Sequence, residues 1–277
     1  MPTNYTDMDK KKNIALVLST GGARGIAHIG VIEELERQGY HITSIAGSSM
    51  GALIGAAYAT GRLEACKEAL LSLNKPAILK LMDFTVSRSG LLKGNKLMKR
   101  IAEIIPDVRI EELKIPFTAV ATDLQTEQEV VFRQGRLLDA VRASISLPNI
   151  FQPVKWKGTY LTDGGLSAPL PLEHVHRQAD NLLVASVAYS LLSDGKPFLL
   201  KPDRYFFMSQ PTTILVQKNI SHTIARFHPD IVIRSQTRPY TIFQFDKGKE
   251  LMALGTAAVQ KALKERNDYT ASPTTEC

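Results

Sequence analysis

Residues 47–51 (GSSMG) lie between an apolar run and a helix-like run of small residues, and few folds accommodate that arrangement. Residues 41–46 (HITSIA) predict a short buried strand, and residues 50–60 (MGALIGAAYAT) predict a buried helix. The two glycines allow a tight turn and let strand and helix pack closely, which is how hydrolases expose a serine hydroxyl. The Gly-x-Ser-x-Gly spacing alone is weak evidence for a nucleophile, but its strand–turn–helix context makes Ser49 a candidate.

A second glycine-rich stretch, residues 21–25 (GGARG), follows the apolar run 13–18 and opens a helical pattern. Such a loop presents several backbone N–H groups, with the positive end of a helix dipole behind them, to a phosphate or a developing oxyanion. Because consecutive strands are often neighbours, this loop is expected near Ser49. The candidate donors are Gly21, Gly22, Ala23 and Arg24.

Nucleotide-binding loops explain this stretch less well. A dinucleotide fingerprint requires Gly-x-Gly-x-x-Gly with an acid about twenty residues further on. The first position here is Thr20, and Thr43, Ser44 and Ile45 occupy the place of the acid. A Walker loop is excluded because the chain contains no Gly-Lys-Ser/Thr at this loop.

A serine nucleophile needs a base, because its hydroxyl is unreactive at neutral pH. None of the six histidines lies in a strand-end turn with a glycine, so each is interpreted as a surface or packing residue. Asp163 ends a predicted strand, precedes two glycines and is the only charged residue in the stretch 159–172. A turn-forming Asp that caps its own backbone is the alternative. We take Asp163 as the candidate base.

The amino-acid composition favours a single α/β domain in a reducing compartment. Two cysteines, one of them the last residue, do not make a disulfide framework, and no secretory signal is visible. The uncharged stretch 42–61 has nearly membrane-spanning length, but its small polar residues and the turn motif explain it better. We expect residues 1–12 and 268–277 to be disordered tails around one domain, 13–267.

The segment Ser87–Arg100 gathers five cations without an acid, interleaved with leucines and a methionine. A basic amphipathic segment of this kind can contact an anionic membrane surface peripherally. A solvated helix face with an ordinary core-facing stripe is the favoured alternative. Nucleic acid is not expected as a partner, because no aromatic platform or known binding motif accompanies the charge.

Three motifs in this order, 21–25 (GGARG), 47–51 (GSSMG) and 163–165 (DGG), resemble those of the patatin-like phospholipase family. Residues 143–154 (ASISLPNIFQPV) and the helix after the first loop support the likeness, which covers most of the chain. The chain resembles the small bacterial members, which have no appended domains. One departure is Thr20, where members usually carry a third glycine, so the donors near Thr20 stay in question.

The resemblance implies a three-layer α/β/α fold around a central, mostly parallel sheet. It also implies a Ser49–Asp163 dyad without histidine and an oxyanion loop of Gly21, Gly22, Ala23 and Arg24. Family members use no metal and no organic cofactor. The expected protein is a cytoplasmic lipid acyl hydrolase, of phospholipase A or lysophospholipase type, with peripheral contact to the inner face of the membrane left open. The alternatives are a Ser-His-Asp α/β-hydrolase and a non-catalytic lipid- or acyl-binding regulator.

Overall fold

The alternating side chains of strand β1 (Asn13–Leu18) pack into two separate cores. The computed structural model describes residues 12–81, 92–188 and 204–271. Ile14, Leu16 and Leu18 belong to one core cluster, and Ala15 and Val17 belong to another. Successive side chains of a strand point to opposite faces of the sheet, so a strand buried at both sets of positions needs cover on both faces.

The remaining strands extend this sheet in both directions. Their spatial order is β5-β6-β3-β2-β1-β7-β8, with β4 also paired to β3. The strands are β2 (His41–Ser48), β3 (Phe117–Asp123), β4 (Glu129–Phe132), β5 (Val154–Trp156), β6 (Thr159–Asp163), β7 (Leu182–Val187) and β8 (Ile231–Arg234).

Helices cover both faces of the sheet, which makes three layers, as predicted. One face carries α1 (Ala27–Arg37), α2 (Met50–Ala59), α3 (Leu63–Leu71), α5 (Asn95–Ala102), α6 (Leu137–Ser144) and α8 (Gly248–Ala271). The other face carries α7 (Arg204–Phe227), which contributes Val216 and Ile220 to the second core. A short helix, α4 (Lys75–Leu81), follows α3.

The sheet is mixed, with a parallel body and an antiparallel edge. Strands β3, β2, β1, β7 and β8 run parallel, whereas β4 and β6 run antiparallel to β3, and β5 runs antiparallel to β6. Leu18 pairs with Gly47, so β1 and β2 end side by side. The same register brings the glycine-rich loop to the turn that carries Ser49. The antiparallel β6 brings Asp163 opposite Ala121 of β3.

The first and last described helices, α1 and α8, touch backbone to backbone. A Cβ added to Gly30 of α1 would lie 2.1 Å from the Met252 carbonyl oxygen. A Cβ added to Gly255 of α8 would lie 2.0 Å from the Ala27 carbonyl oxygen. Only glycine permits helices to approach so closely. Helix α8 therefore packs directly against α1, the helix that follows the glycine-rich loop.

The predictions for the two tails and for the basic segment Ser87–Arg100 are corrected in part, and in part they concern residues outside the described ranges. Helix α8 continues to Ala271, so residues 268–271 of the predicted tail are helical. Residues 1–11 and 272–277, the remainder of both predicted tails, lie outside the described residues, as do residues 87–91 of the basic segment. Its residues from Asn95 onward form α5 with exposed cations, whereas Leu97 packs against the core. None of the helices in the described ranges has both the length and the hydropathy to cross a membrane.

Candidate active site

Ser49 occupies a strained turn between β2 and α2. Its backbone φ is +56° and ψ is −122°, a combination that non-glycine residues rarely adopt. The glycines on either side leave no room for a side chain. A Cβ at Gly47 would lie 2.4 Å from the carbonyl group of Gly51, and one at Gly51 would lie 2.4 Å from the Leu18 carbonyl oxygen. The fold therefore holds the serine at a sharp elbow, as the sequence predicted.

The Ser49 hydroxyl meets the carboxylate of Asp163. Ser49 Oγ donates a hydrogen bond of 2.6 Å to Asp163 Oδ2. The other carboxylate oxygen, Oδ1, accepts the N–H of Gly165 at 2.7 Å, which orients the carboxylate. Within the part of the chain that the structure describes, Asp163 is the only side chain that hydrogen-bonds the serine hydroxyl. Residues 114 positions apart in sequence are thus in direct contact.

Burial makes Asp163 a better proton acceptor than an ordinary carboxylate. Its side chain is 2% exposed, and desolvation raises its pKa from 3.8 to about 6, although hydrogen bonds from Ser49 and Gly165 oppose the rise. Asp123, at the end of the neighbouring strand, behaves oppositely. Hydrogen bonds from the Thr159 hydroxyl and the Gln125 N–H lower its pKa. Of these two carboxylates, only Asp163 has the raised basicity that a general base needs near neutral pH.

Ser144 supports the strained turn and was not identified from the sequence. Its buried hydroxyl accepts the N–H of Ser49 at 2.9 Å and donates to the Val120 carbonyl oxygen at 2.6 Å. The Ser49 backbone is thereby tied to β3, the strand that pairs with both β2 and β6. Ser144 lies in the segment ASISLP, which carries a family likeness. Nothing in that segment indicates locally that this serine contacts the nucleophile.

We expect Ser144→Ala to lower kcat/KM for ester substrates by about tenfold or more, because a small displacement of the nucleophile is costly. The loss should appear in kcat rather than in KM. A proportional fall in the rate at which a fluorophosphonate labels Ser49 would identify the cause as misplacement of the nucleophile. Ser221→Ala is the matched control, because the Ser221 hydroxyl donates to the Gln217 carbonyl oxygen of its own helix and to no other group among the described residues. Unchanged labelling of Ser144→Ala would exclude this positioning role.

The glycine-rich loop offers fewer free donors than its sequence suggests. The Ala23 N–H donates to the Ile242 carbonyl oxygen at 2.9 Å, and the Thr20 N–H donates to the Pro169 carbonyl oxygen at 2.8 Å. The Arg24 guanidinium binds the Tyr240 carbonyl oxygen. Among the described residues, the N–H groups of Gly21 and Gly22 have no acceptor. These two N–H groups are therefore our candidate donors to an oxyanion.

His28 lies beneath this loop and is fully buried. One ring nitrogen, Nε2, lies 2.9 Å from the Ser19 carbonyl oxygen, and Nδ1 lies 2.8 Å from the Ser186 hydroxyl. Burial lowers the pKa of His28 to about 4, so the ring is neutral at pH 7. With Nε2 protonated, the ring donates to Ser19 and accepts from Ser186. Both nitrogens are engaged in buried contacts, one with Ser19 next to β1 and one with Ser186 of β7, which fits the packing role expected from the sequence.

Comparison with known families identifies this arrangement. Residues 16–176 match the family model described as Patatin-like phospholipase. The matched range spans more than half of the chain and includes Ser49 and Asp163. The chain belongs to the patatin-like phospholipase family.

Several members of this family are similar in sequence. An NTE family protein of Mycobacterium tuberculosis is 44% identical over 172 residues, which cover 62% of this chain and 48% of that protein. A patatin-like phospholipase domain-containing protein of Caenorhabditis elegans is 29% identical over 280 residues, which cover 91% of this chain and 20% of that protein. The chain spans about half the length of the mycobacterial relatives that are 44% identical to it. The crystal structure of VipD from Legionella pneumophila aligns with 92% of this chain and 67% of its own, with a TM-score of 0.47 at 15% identity.

Elsewhere in this patatin-like chain, the side chains of Glu129, Glu173 and His174 cluster closely enough to surround a cation. His174 Nε2 contacts the Glu129 carboxylate directly. Arg133 approaches from the other side, with Nη2 3.5 Å from His174 Nδ1. Its positive charge opposes a bound cation, so we assign this cluster as a hydrogen-bonded contact between β4 and the residues before β7.

Proposed function

We propose that this protein is a serine acyl hydrolase that cleaves carboxylic ester bonds of lipids, of phospholipase A or lysophospholipase type. The observation that carries the proposal is the 2.6 Å hydrogen bond from Ser49 Oγ to the buried Asp163 carboxylate at a strained turn. Membership of the patatin-like phospholipase family supports a lipid ester as the substrate. No organic cofactor or metal has a part in the proposed chemistry.

In the first half-reaction, Ser49 Oγ forms a bond to the ester carbonyl carbon while its proton moves to Asp163 Oδ2. The negative charge that develops on the carbonyl oxygen is stabilised by the N–H groups of Gly21 and Gly22, with the amino terminus of α2 nearby. The bond to the leaving alcohol then breaks, and the alcohol takes the proton from Asp163. Ser49 is left acylated.

In the second half-reaction, water attacks the acyl carbon of the Ser49 ester and gives a proton to Asp163. The bond from Ser49 Oγ to the acyl carbon breaks, and Oγ recovers that proton. The products are a carboxylic acid and the regenerated serine. One carboxylate thus serves as base and acid in both steps, which requires a pKa close to the working pH.

Fluorophosphonate labelling followed by peptide mapping tests the nucleophile. We expect one label per chain, on Ser49, and none on Ser49→Ala. A screen of short and long acyl esters, phospholipids and lysophospholipids, with Ser49→Ala as the blank, then identifies the substrate class. Labelling of another residue, or the absence of any label on correctly folded protein, would contradict the proposal.

The pH dependence of kcat/KM should report the ionisation of Asp163. Because the ionised carboxylate is the base and its pKa is about 6, kcat/KM should rise through pH 6 and fall about tenfold per unit below it. Stability should change in the opposite direction. A carboxyl whose pKa is higher in the folded than in the unfolded chain stabilises the protein fully below about pH 3.8, and this contribution is lost as the pH rises through about 6.

Initial rates measured from about pH 4.5 to 8, with circular dichroism to follow folding, check both trends. The Asp163 contribution to the free energy of unfolding should grow as activity is lost, so acid inactivation near pH 5 should precede unfolding. The absence of an acid limb between about pH 5 and 7 would mean that no base with a raised pKa, as given for Asp163, controls the reaction.

A further inference from the structure

An apolar cleft opens between helices α3, α4 and α5. Its volume is about 330 Å³, at the lower end of the roughly 300 to 1,000 Å³ of small-molecule sites. Its floor consists of buried apolar side chains: Leu53, Cys66, Leu70, Ile101 and Ile105. Ser49 and Asp163 are not among its lining residues. The proposed hydrolysis therefore leaves this cleft without a role.

Two cations lie at the rim of the cleft. Lys80 of α4 and Arg100 of α5 both line it, and both are exposed. Arg100 pairs with Glu103 at 2.7 Å, but the two side chains are 50% and 49% exposed, and solvated pairs of this kind are weak. Lys80 and Arg100 are the charged residues among those that line the cleft, so its rim is positive. The cleft thus combines a dry floor with a positive edge.

The thiol of Cys66 belongs to the apolar floor rather than to a reactive site. Burial raises its pKa to about 12, so the group is a neutral thiol at pH 7 and packs as a small hydrophobic side chain. The cleft therefore selects by shape and hydrophobicity at its floor and by charge at its rim.

We propose that this cleft binds a single-chain fatty acid, with the acyl chain on the apolar floor and the carboxylate at Lys80 and Arg100. A free anionic head group would leave the floor uncovered, and a neutral hydrocarbon would make no use of the positive rim. At about 30 Å³ per methylene-sized group, a volume of about 330 Å³ accommodates roughly eleven such groups. A saturated chain of about twelve carbons therefore fills the cleft.

The bound chain would touch the helix that follows the nucleophile. Leu53 of α2 lies in the floor, and its N–H donates to the Ser49 carbonyl oxygen at 3.1 Å. The contact lies about one helical turn, roughly 5 Å along the axis, from Ser49. The binding itself does not depend on hydrolysis at Ser49, so it can be measured without turnover.

Calorimetric titration of the Ser49→Ala protein with dodecanoate, below its micelle concentration, tests the site. We expect one saturable site per chain. Ala77→Trp, which adds a large ring to the lining, should weaken binding by at least about tenfold. Ala69→Phe fills the cleft from α3 and provides a second blocking variant. Ala102→Trp, on the exposed face of α5 outside the cleft, is the matched control and should keep the affinity.

The rim is tested separately from the floor. Lys80→Gln should weaken dodecanoate binding by roughly threefold, as expected for a solvated ion pair, whereas Lys75→Gln outside the cleft should not. Dodecanol should bind more weakly than dodecanoate. Equal binding of the two ligands, or full affinity in both blocking variants, would overturn the proposal. Binding to anionic phosphatidylglycerol vesicles that is lost in Lys80→Gln but kept in Ala77→Trp would also overturn it, because the cations would then serve a membrane surface.

Discussion

Asp163→Asn should lower kcat by roughly three to five orders of magnitude and leave the protein folded. An amide has nearly the same shape as the carboxylate, and its oxygen can still accept the N–H of Gly165. It cannot take the proton of Ser49, which removes the base from both half-reactions. The buried charge also disappears, so the free energy of unfolding at pH 7 should not fall. Activity should therefore be lost without loss of structure.

Steady-state kinetics on a soluble ester, together with chemical denaturation, measure the two quantities independently. Asp123→Asn is the matched control, since Asp123 is also a buried acid at a strand end. Its carboxylate accepts hydrogen bonds in the turn after β3 and does not contact Ser49. We expect this control to lose some stability and to keep most of its activity. Near-normal turnover in Asp163→Asn would assign the base to another group, such as a histidine.

Gly51→Ala should lower the free energy of unfolding by about 3 kcal/mol or more, or prevent folding. The added methyl group would lie 2.4 Å from the Leu18 carbonyl oxygen and 2.7 Å from the Ser19 carbonyl oxygen. Neither oxygen can retreat easily, because β1 is held between β2 and β7. The helix after the nucleophile would have to move away from the strand end.

Chemical denaturation or thermal unfolding measures this effect, with Gly61→Ala as the control. Gly61 has a φ of +69°, but a Cβ there would meet nothing within 4 Å. Its replacement should cost only about 1 kcal/mol, the strain of a left-handed residue. Equal stability of Gly51→Ala and the wild type would mean that the close approach of strand and helix is not required.

The three motifs could be predicted from sequence because each depends on local geometry. A serine in a left-handed turn, a loop of free N–H groups and a strand-end aspartate all require glycine next to them, and glycine is visible in a sequence. Ser49 and Asp163 therefore followed from short patterns. The hydrogen bond between them did not follow from those patterns, because it depends on the antiparallel return of β6 to β3.

Other parts of the site depend on contacts that no local pattern encodes. The Ala23 N–H is occupied by Ile242, more than two hundred residues further on, and Ser144 reaches Ser49 across 95 residues. Helix α4 is a different case, because the residues that begin it are adjacent in sequence. Pro76 is tolerated because it lies in the first turn, where Asn74 accepts the N–H of Ala77 at 2.9 Å. The sequence Asn74–Ala77, an N-cap residue followed by a proline in the first turn, is therefore sufficient to predict where this helix begins.

The carbonyl-to-glycine contacts between α1 and α8 have a consequence for folding while the chain is being synthesised. On a ribosome, the strands around Ser49 emerge long before residues 248–271 are made. Until then, the Gly30 face of α1 has no α8 to cover it. A truncated chain that stops at residue 176, where the family match ends, would keep that bare face permanently. We therefore expect the nascent chain to need chaperone protection until α8 has been translated.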